Sequence, residues 1–163
     1  MRNILKIIPL IFIVSCVNPF APELDTELNS SGSIISDQKN VDGVFQNFQY
    51  AYTFKDTTIY GNLLDNQFIF TFRDYDQGVD VSWGREEEMK VTDGLFRNSQ
   101  KLDLIWNNIV AITADSTNII RSFNLTITFN PTDIIFVDGR VNLTLTKKND
   151  IWKISKWIDE SNF

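Results

Sequence analysis

The segment from Leu102 to Asp159 reads as consecutive β-strands joined by short turns. Within it, residues 122–129 alternate strictly between polar and apolar side chains, and the apolar ones are Phe123, Leu125, Ile127 and Phe129. A period of two with one apolar face is typical of a half-buried antiparallel strand. Such a sheet has to cover its apolar face, so we expect the chain that precedes it to pack there.

The preceding chain changes its hydrophobic period several times, which predicts helices mixed with short strands. We expect, in chain order, a helix over 37–55 capped by Asp37 or Asn40, a shorter helix over 56–64, a strand over 67–73, a return strand over 79–83 and a third helix from Gly84. The inward positions of the third helix are Met89, Thr92, Leu95 and Phe96.

Three consecutive glutamates, Glu86, Glu87 and Glu88, stand at the start of the third predicted helix. A metal site is one interpretation of such a cluster. The preferred interpretation is that the positive end of the helix dipole favours carboxylates there. We therefore predict neither a metal nor a cofactor.

Turn residues set the expected strand registers. A turn at residues 115–118 pairs Val110 with Phe123 and Trp106 with Ile127, and a turn at residues 149–150 pairs Leu145 with Ile154. A further turn follows Asn130. Gly139 is expected at a bend inside one uninterrupted strand rather than in a hairpin turn. The predicted apolar face comprises Leu102, Leu104, Trp106, Val110, Ile112, Phe123, Leu125, Ile127, Val137, Val141, Leu143, Leu145, Trp152 and Ile154.

The overall composition is that of one folded domain with an acidic surface. The 163 residues are 43% hydrophobic and carry a formal net charge of −6, which argues against a nucleic-acid partner. The chain has no histidine. This excludes histidine-dependent triads and most zinc sites.

The N-terminus has the features of an export signal. Residues 1–15 combine Arg2 and Lys6 with a short apolar run, and Cys16, the only cysteine, follows directly. This resembles a bacterial lipobox, so we predict a signal peptide over 1–15, lipidation of Cys16, a flexible tether over 16–36 and a folded domain over 37–163. A plain cleaved signal followed by an incidental cysteine is the alternative.

The order of these elements resembles the nuclear-transport-factor-2-like cone fold, also called SnoaL-like or ketosteroid-isomerase-like and related to the cystatin-like folds. The resemblance rests on residues 48–56, 63–68, 83–87 and 152–159, and it covers residues 37–159. It implies an α+β fold in which three N-terminal helices pack in a curved, mostly antiparallel sheet with a pocket at the open end. Enzymes of the superfamily use pocket Asp, Tyr or His residues, and no Asp or Tyr here matches a known catalytic position.

The predicted apolar face contains three polar residues: Asn108, Arg121 and Lys156. The registers place Arg121 and Lys156 in one row, which suggests an anion-binding rim; the alternative is that both side chains extend to solvent. Asn108 contacts either a ligand or a helix terminus. Three aromatic residues are candidate pocket walls or core residues, namely Tyr60, Trp83 and Trp106.

The opposite face of the predicted sheet carries four threonines and one tryptophan. These residues are Thr126, Thr128, Thr144, Thr146 and Trp157. An exposed tryptophan on a polar face suggests a partner or a homodimer contact, although an overlying loop also explains it. Trp152 and Trp157 are five positions apart in one predicted strand, so their side chains should lie on opposite faces. We expect Trp152 to be buried and Trp157 to be more exposed.

These observations favour a lipid-anchored bacterial envelope protein that binds a small molecule or a protein partner without catalysis. A pocket enzyme of the isomerase, dehydratase or cyclase type is an alternative, and a structural envelope component that dimerises through the sheet is another. The first is preferred because no acidic residue is expected on the apolar sheet face.

Overall fold

Two helices, two strands, a third helix and four strands follow one another along residues 34–162, the part of the chain that this computed structural model describes. The helices are α1 (Val41–Phe54), α2 (Thr57–Leu63) and α3 (Arg85–Asn98). The strands are β1 (Leu64–Asp74), β2 (Val79–Gly84), β3 (Lys101–Ile112), β4 (Asn118–Asn130), β5 (Asp133–Lys148) and β6 (Ile151–Asn162). The expected α+β class and element order are confirmed.

Side-chain caps fix where the first two helices begin. The Asn40 side chain accepts a hydrogen bond from the Gly43 N–H at 2.7 Å, so Asn40 rather than Asp37 caps α1. Asp56 accepts from the N–H groups of Thr58 and Ile59, both at 2.9 Å. These oxygens satisfy backbone donors that the first helical turn leaves without partners.

The strands form one mixed sheet with the order β2-β1-β6-β5-β4-β3. The chain crosses to the far edge of the sheet between β2 and β3, and strands β3 to β6 then return as neighbours until β6 lies beside β1. Among these strands, only the β1–β6 pairing is parallel. The helices cover the inner face, where Phe45 and Phe48 of α1 and Tyr60 of α2 are almost fully buried. The sheet contributes Leu102, Ile119, Val141, Leu143 and Ile154 to the same core.

The register of β3 with β4 differs from the prediction. Trp106 pairs with Phe123, not with Ile127, and Val110 is 53% exposed instead of facing the core. Ile112 is also exposed. The hairpin pairs Ile112 with Ile119, and two register shifts in β3 each displace the pairing by one more residue.

The register of β5 with β6 is as predicted at one end and shifted at the other. Leu145 pairs with Ile154, but Leu143 pairs with Trp157 because a bulge at Ser155 adds a residue to β6. One extra residue exchanges the two faces of a strand. Trp157 is consequently 8% exposed on the inner face, while Trp152 is only partly buried against the core. The predicted ranking of these two tryptophans was wrong.

Strand β5 runs without interruption through Gly139, as expected. A Cβ atom at this position would lie 2.9 Å from the carbonyl oxygen of Glu160 and would clash with the backbone of Ser161. Glycine is therefore required here by the close approach of β6.

Residues 34–40 already contact the domain. The Ser36 N–H donates to the Asn47 side chain at 2.7 Å, and the Gln38 side chain donates to the Trp152 carbonyl at 2.9 Å. The end of the predicted tether is thus held against α1 and β6. The predicted signal peptide, Cys16 and the rest of the tether lie outside the described residues. Within residues 34–162, no helix has both the length and the apolar character needed to cross a membrane.

Candidate functional site

A cavity of about 690 Å³ lies between the helices and the inner face of the sheet. This volume is within the range of small-molecule sites. Most of its wall is apolar, and its aromatic members are Phe48, Tyr52, Phe70, Phe72, Tyr75, Trp83, Trp106, Phe123, Phe129 and Trp157. The β1–β2 turn forms part of the rim through Tyr75 and Asp76, which are exposed, and Ile135 and Val91 lie at other points of the rim.

Stacked and edge-on rings build one wall of the cavity. Phe70 stacks on Trp83 with ring centroids 4.6 Å apart, and it meets Trp157 edge-on at 5.0 Å. Phe48 of α1 contacts the other side of Trp157, at 5.5 Å. The strand pairings impose this arrangement, because Phe70 lies between Trp83 on β2 and Trp157 on β6.

A buried carboxylate, Glu88, stands in the cavity wall on α3. It is 4% exposed and accepts hydrogen bonds from the Tyr60 hydroxyl (2.5 Å), the Trp83 indole N–H (2.7 Å) and the Thr92 hydroxyl (3.2 Å). All three donors are neutral. None of the ion pairs formed among residues 34–162 includes Glu88.

The tyrosines beside Glu88 are strongly perturbed. Burial raises the pKa of Tyr60 well above its ordinary value, and the negative charge of Glu88 contributes to that shift. The pKa of Tyr52 is also raised, first by burial and then by the charges of Glu88 and Asp159. Both phenols are therefore neutral hydrogen-bonding groups at physiological pH.

A second carboxylate, Asp159 of β6, lines the same cavity. It lies between Val141 of β5 and Phe72 of β1 in the sheet, and its side chain accepts a hydrogen bond from the Ser161 hydroxyl at 2.6 Å. Burial raises the pKa of Asp159, and the charges of Glu160 and Glu88 raise it further. An acid with a raised pKa inside a cavity is a feature of functional sites.

The indole N–H of Trp157 is buried and has no hydrogen-bond partner among residues 34–162. Buried donors are nearly always paired, so an unpaired one beside a cavity is informative. Trp157 lines the cavity, and a polar atom of a bound molecule would supply the missing acceptor.

The structure does not bring Arg121 and Lys156 together. Arg121 lies on the inner face, with its guanidinium 4.7 Å from the ring centre of Phe45, and burial lowers its pKa. Lys156 pairs with Thr144 and is exposed on the outer face. The bulge at Ser155 causes this separation, so the predicted anion-binding row does not exist.

The other candidate pocket residues fall in different places. Trp83 and Trp106 line the cavity, and the Trp106 indole donates to the Phe45 carbonyl at 3.0 Å. Tyr60 is a core residue behind the cavity wall, where it contacts the lining residues Glu88, Phe48 and Tyr52. Asn108 is exposed beside a register shift of β3, and its carbonyl accepts from Ser122.

The outer face of the sheet lacks the tryptophan that suggested an interface. Thr126, Thr128, Thr144 and Thr146 are partly buried there, but Trp157 faces inward. This face does expose large apolar side chains: Phe136, which pairs with Thr126, is 76% exposed, and Ile105 and Ile134 are exposed there too.

Sequence reasoning missed both Glu88 and Asp159. Glu88 was assigned to the helix dipole together with its exposed neighbours Glu86 and Glu87. Its spacing of four residues from the inward position Thr92 was the available signal. Asp159 was not among the candidate residues, because it shares the parity of Trp157, which was predicted to lie on the outer face. No group of three or more metal-ligating side chains occurs in residues 34–162.

Comparison with protein-family models and with curated protein sequences finds no match. Solved structures do match. A protein from Novosphingobium aromaticivorans, provisionally assigned as a scytalone dehydratase, superposes with a TM-score of 0.65 at 12% identity, over 76% of this chain and 82% of that one. A provisional SnoaL-like polyketide cyclase from Jannaschia has a TM-score of 0.56 at 16% identity, over 80% and 89%.

A nuclear-transport-factor-2-like protein of unknown function from Shewanella baltica also matches, with a TM-score of 0.54 at 14% identity, over 74% of this chain and 89% of that one. These similarities show that the chain has the nuclear-transport-factor-2-like cone fold. Structures with this fold carry names of enzymes and of proteins without known activity, so the activity has to be argued from the site.

Proposed function

We propose that this protein is a lipid-anchored bacterial envelope protein whose cone domain binds a small, largely apolar molecule. The observation that carries the binding proposal is the aromatic cavity of about 690 Å³. An apolar cavity with a few polar groups is the usual form of a small-molecule site. Here the polar groups are the Asp159 carboxylate and the unpaired indole N–H of Trp157.

The proposed anchor rests on the sequence of the N-terminus. A short apolar run followed by a lone cysteine fits export and lipidation of Cys16, which would place the domain at the surface of a membrane. The domain would then meet its ligand within the cell envelope.

Filling the cavity tests the binding proposal. Leu125 lines the cavity, and Leu125→Trp should occupy its free volume. The control is Ile105→Trp, which adds the same ring at an exposed position of the neighbouring strand. Fluorescence titration with aminoanthracene, a neutral dye that brightens in apolar cavities, should show saturable binding to the wild type and the control but not to Leu125→Trp.

Two results would overturn the binding proposal. One is a folded wild type that does not brighten the dye. The other is equal dye binding by Leu125→Trp, since the dye would then occupy another surface. Thermal melts of both tryptophan variants establish that each is folded.

A second function, proton-transfer catalysis, is favoured by one observation. Asp159 is an acid with a raised pKa inside the cavity, and such a group can serve as a general base or acid. Tetralone in heavy water is a suitable probe, because abstraction of a proton beside its carbonyl appears as deuterium exchange by NMR. Exchange that is faster with the wild type than with Asp159→Asn supports an enzyme; equal rates support a binding protein.

A further inference from the structure

Acidic side chains dominate the charged groups around the cavity. The lining residues include four carboxylates, namely Asp74, Asp76, Glu88 and Asp159, against the single cation Arg73. The charge of Arg73 is already matched outside this set, because its guanidinium lies 2.9 Å from Asp80. The cavity therefore has an excess of negative charge. Neither Glu88 nor Asp159 takes part in an ion pair within residues 34–162.

Aromatic rings lie beside the two inner carboxylates. The Trp83 indole donates to Glu88, and Phe72, 5.4 Å from Trp83 between ring centres, is the neighbour of Asp159 across the β1–β6 pairing. Electron-rich rings attract cations on their faces, and the attraction grows when water is excluded. The rings and the carboxylates therefore both favour a cationic group on the ligand.

Building on the proposed function, we infer that the ligand is a protonated amine carried on an apolar or aromatic body. The ammonium group would donate hydrogen bonds to Asp159 and lie against the neighbouring rings, while the body fills the aromatic part of the cavity. An anionic ligand is disfavoured, since it would face Glu88 and Asp159 at low dielectric.

Asp159 rather than Glu88 is the group available to such a ligand. Glu88 already accepts three hydrogen bonds from Tyr60, Trp83 and Thr92. Asp159 accepts from Ser161 alone among the side-chain donors of the described residues, and it is only partly buried. Burial and the charges of Glu160 and Glu88 raise the pKa of Asp159, and an ammonium beside it would lower that pKa.

Three probes with one naphthalene body separate the charge preference from cavity binding. These are naphthylmethylamine, naphthylmethanol and naphthoic acid, titrated calorimetrically into the full-length protein in lipid nanodiscs near neutral pH. We expect the amine to bind with about tenfold lower Kd than the alcohol, and the acid to bind most weakly. Asp159→Asn should bring the amine and the alcohol within about twofold of each other.

Glu160→Gln is the matched control. It removes one negative charge from the next position of β6, but Glu160 pairs with Arg140 at 3.3 Å and does not line the cavity. The preference for the amine should survive this change. If Glu160→Gln abolished the preference as Asp159→Asn does, the effect would come from net charge and the inference would be wrong.

The pH dependence gives a second measurement in the unaltered protein. The groups that act on the pKa of Asp159 are Glu88 from α3 and Glu160 and Ser161 on its own strand, and the charge of Asp159 in turn raises the pKa of Tyr52 on α1. Amine affinity should fall as the pH is lowered and the Asp159 carboxylate becomes protonated. Because the pKa of Asp159 lies above the ordinary value of 3.8, this fall should begin at a pH above 3.8. The affinity of the alcohol should not fall with it.

The outcomes separate the two proposals. Binding of the alcohol or the acid at least as tightly as the amine, or an amine preference that persists in Asp159→Asn, overturns the inference and leaves cavity binding intact. Failure of all three probes to bind a folded wild type overturns both.

Discussion

Glu88 and Asp159 both present carboxylates to the cavity, but their surroundings differ. Three neutral donors surround Glu88, two of them from side chains of other elements, Tyr60 on α2 and Trp83 on β2. Such a cluster ties α3 to the rest of the domain. Burying a carboxylate without a cation is tolerable only when hydrogen bonds replace the lost water. Asp159 has fewer partners and remains available to a ligand.

Removing one donor from Glu88 should be costly. Tyr60→Phe keeps the buried ring, with its edge-on contacts to Phe48 and Phe96, and deletes only the hydroxyl. We expect the free energy of unfolding, measured by urea denaturation, to fall by about 1–3 kcal/mol. Tyr50→Phe is the control: its hydroxyl makes none of the hydrogen bonds found in residues 34–162, and its loss should change stability by less than about 0.5 kcal/mol. Equal effects of the two substitutions would mean that the Tyr60–Glu88 bond contributes nothing.

The walls of the site were easier to predict from sequence than its charges. Trp83 and Trp106 were candidates for pocket walls or for the core, because large aromatic residues on an inward face have few other places to go. The two carboxylates could not be placed in the same way. Whether an acid is buried depends on donors that are distant in sequence, such as Tyr60 for Glu88, and no local period encodes them.

Strand β6 shows how one residue decides which side chains face the cavity. Ser155 is the extra residue of the bulge, and its hydroxyl donates to the Thr144 carbonyl at 3.0 Å. Before the bulge Ile154 faces the core, and after it Trp157 and Asp159 do. Without a bulge, alternation places Trp157 on the polar face, which is unusual for a tryptophan and indicates an irregularity in the strand. Alternation alone does not locate the bulge.

Contact between β5 and β6 leaves no room for a side chain at Gly139. Gly139→Ala should lower the free energy of unfolding by about 1–3 kcal/mol, because the obstructing atoms belong to the backbone of Ser161 and Glu160. Gly94→Ala, in α3, is the matched control. A Cβ there meets open space, so helix propensity should make the change neutral or stabilising by up to about 1 kcal/mol. A Gly139→Ala protein as stable as Gly94→Ala in denaturant melts would show that the strands are not in close contact.

Changes of hydrophobic period along the chain indicate the architecture of the domain more directly than any single motif does. Helical spacing in residues 37–64, alternation in 67–83 and long alternating strands after Leu102 predict the order of helices and strands, and the resemblance of that order to a known family implied the cone fold. The three solved structures described above share only 12–16% identity with the chain, so the fold persists where residue identity does not. Ligand and localisation are not determined by this architecture and depend on a few side chains and on the N-terminus.

The proposed attachment to a membrane depends on Cys16, which precedes the described domain. The segment removed with residues 1–15 contains two cations and no acids, so the remaining chain has a net charge of −6 − 2 = −8. Because this acidity disfavours adsorption to anionic lipid, acyl chains would have to supply the membrane affinity.

Cys16→Ser should therefore move the protein from the detergent phase to the aqueous phase in phase partitioning, or leave it with its signal uncleaved. Ser15→Ala retains both the cysteine and a small preceding residue, and it should partition like the wild type. Detergent-phase recovery of Cys16→Ser equal to that of Ser15→Ala would contradict lipidation, since no other cysteine is present to carry the lipid.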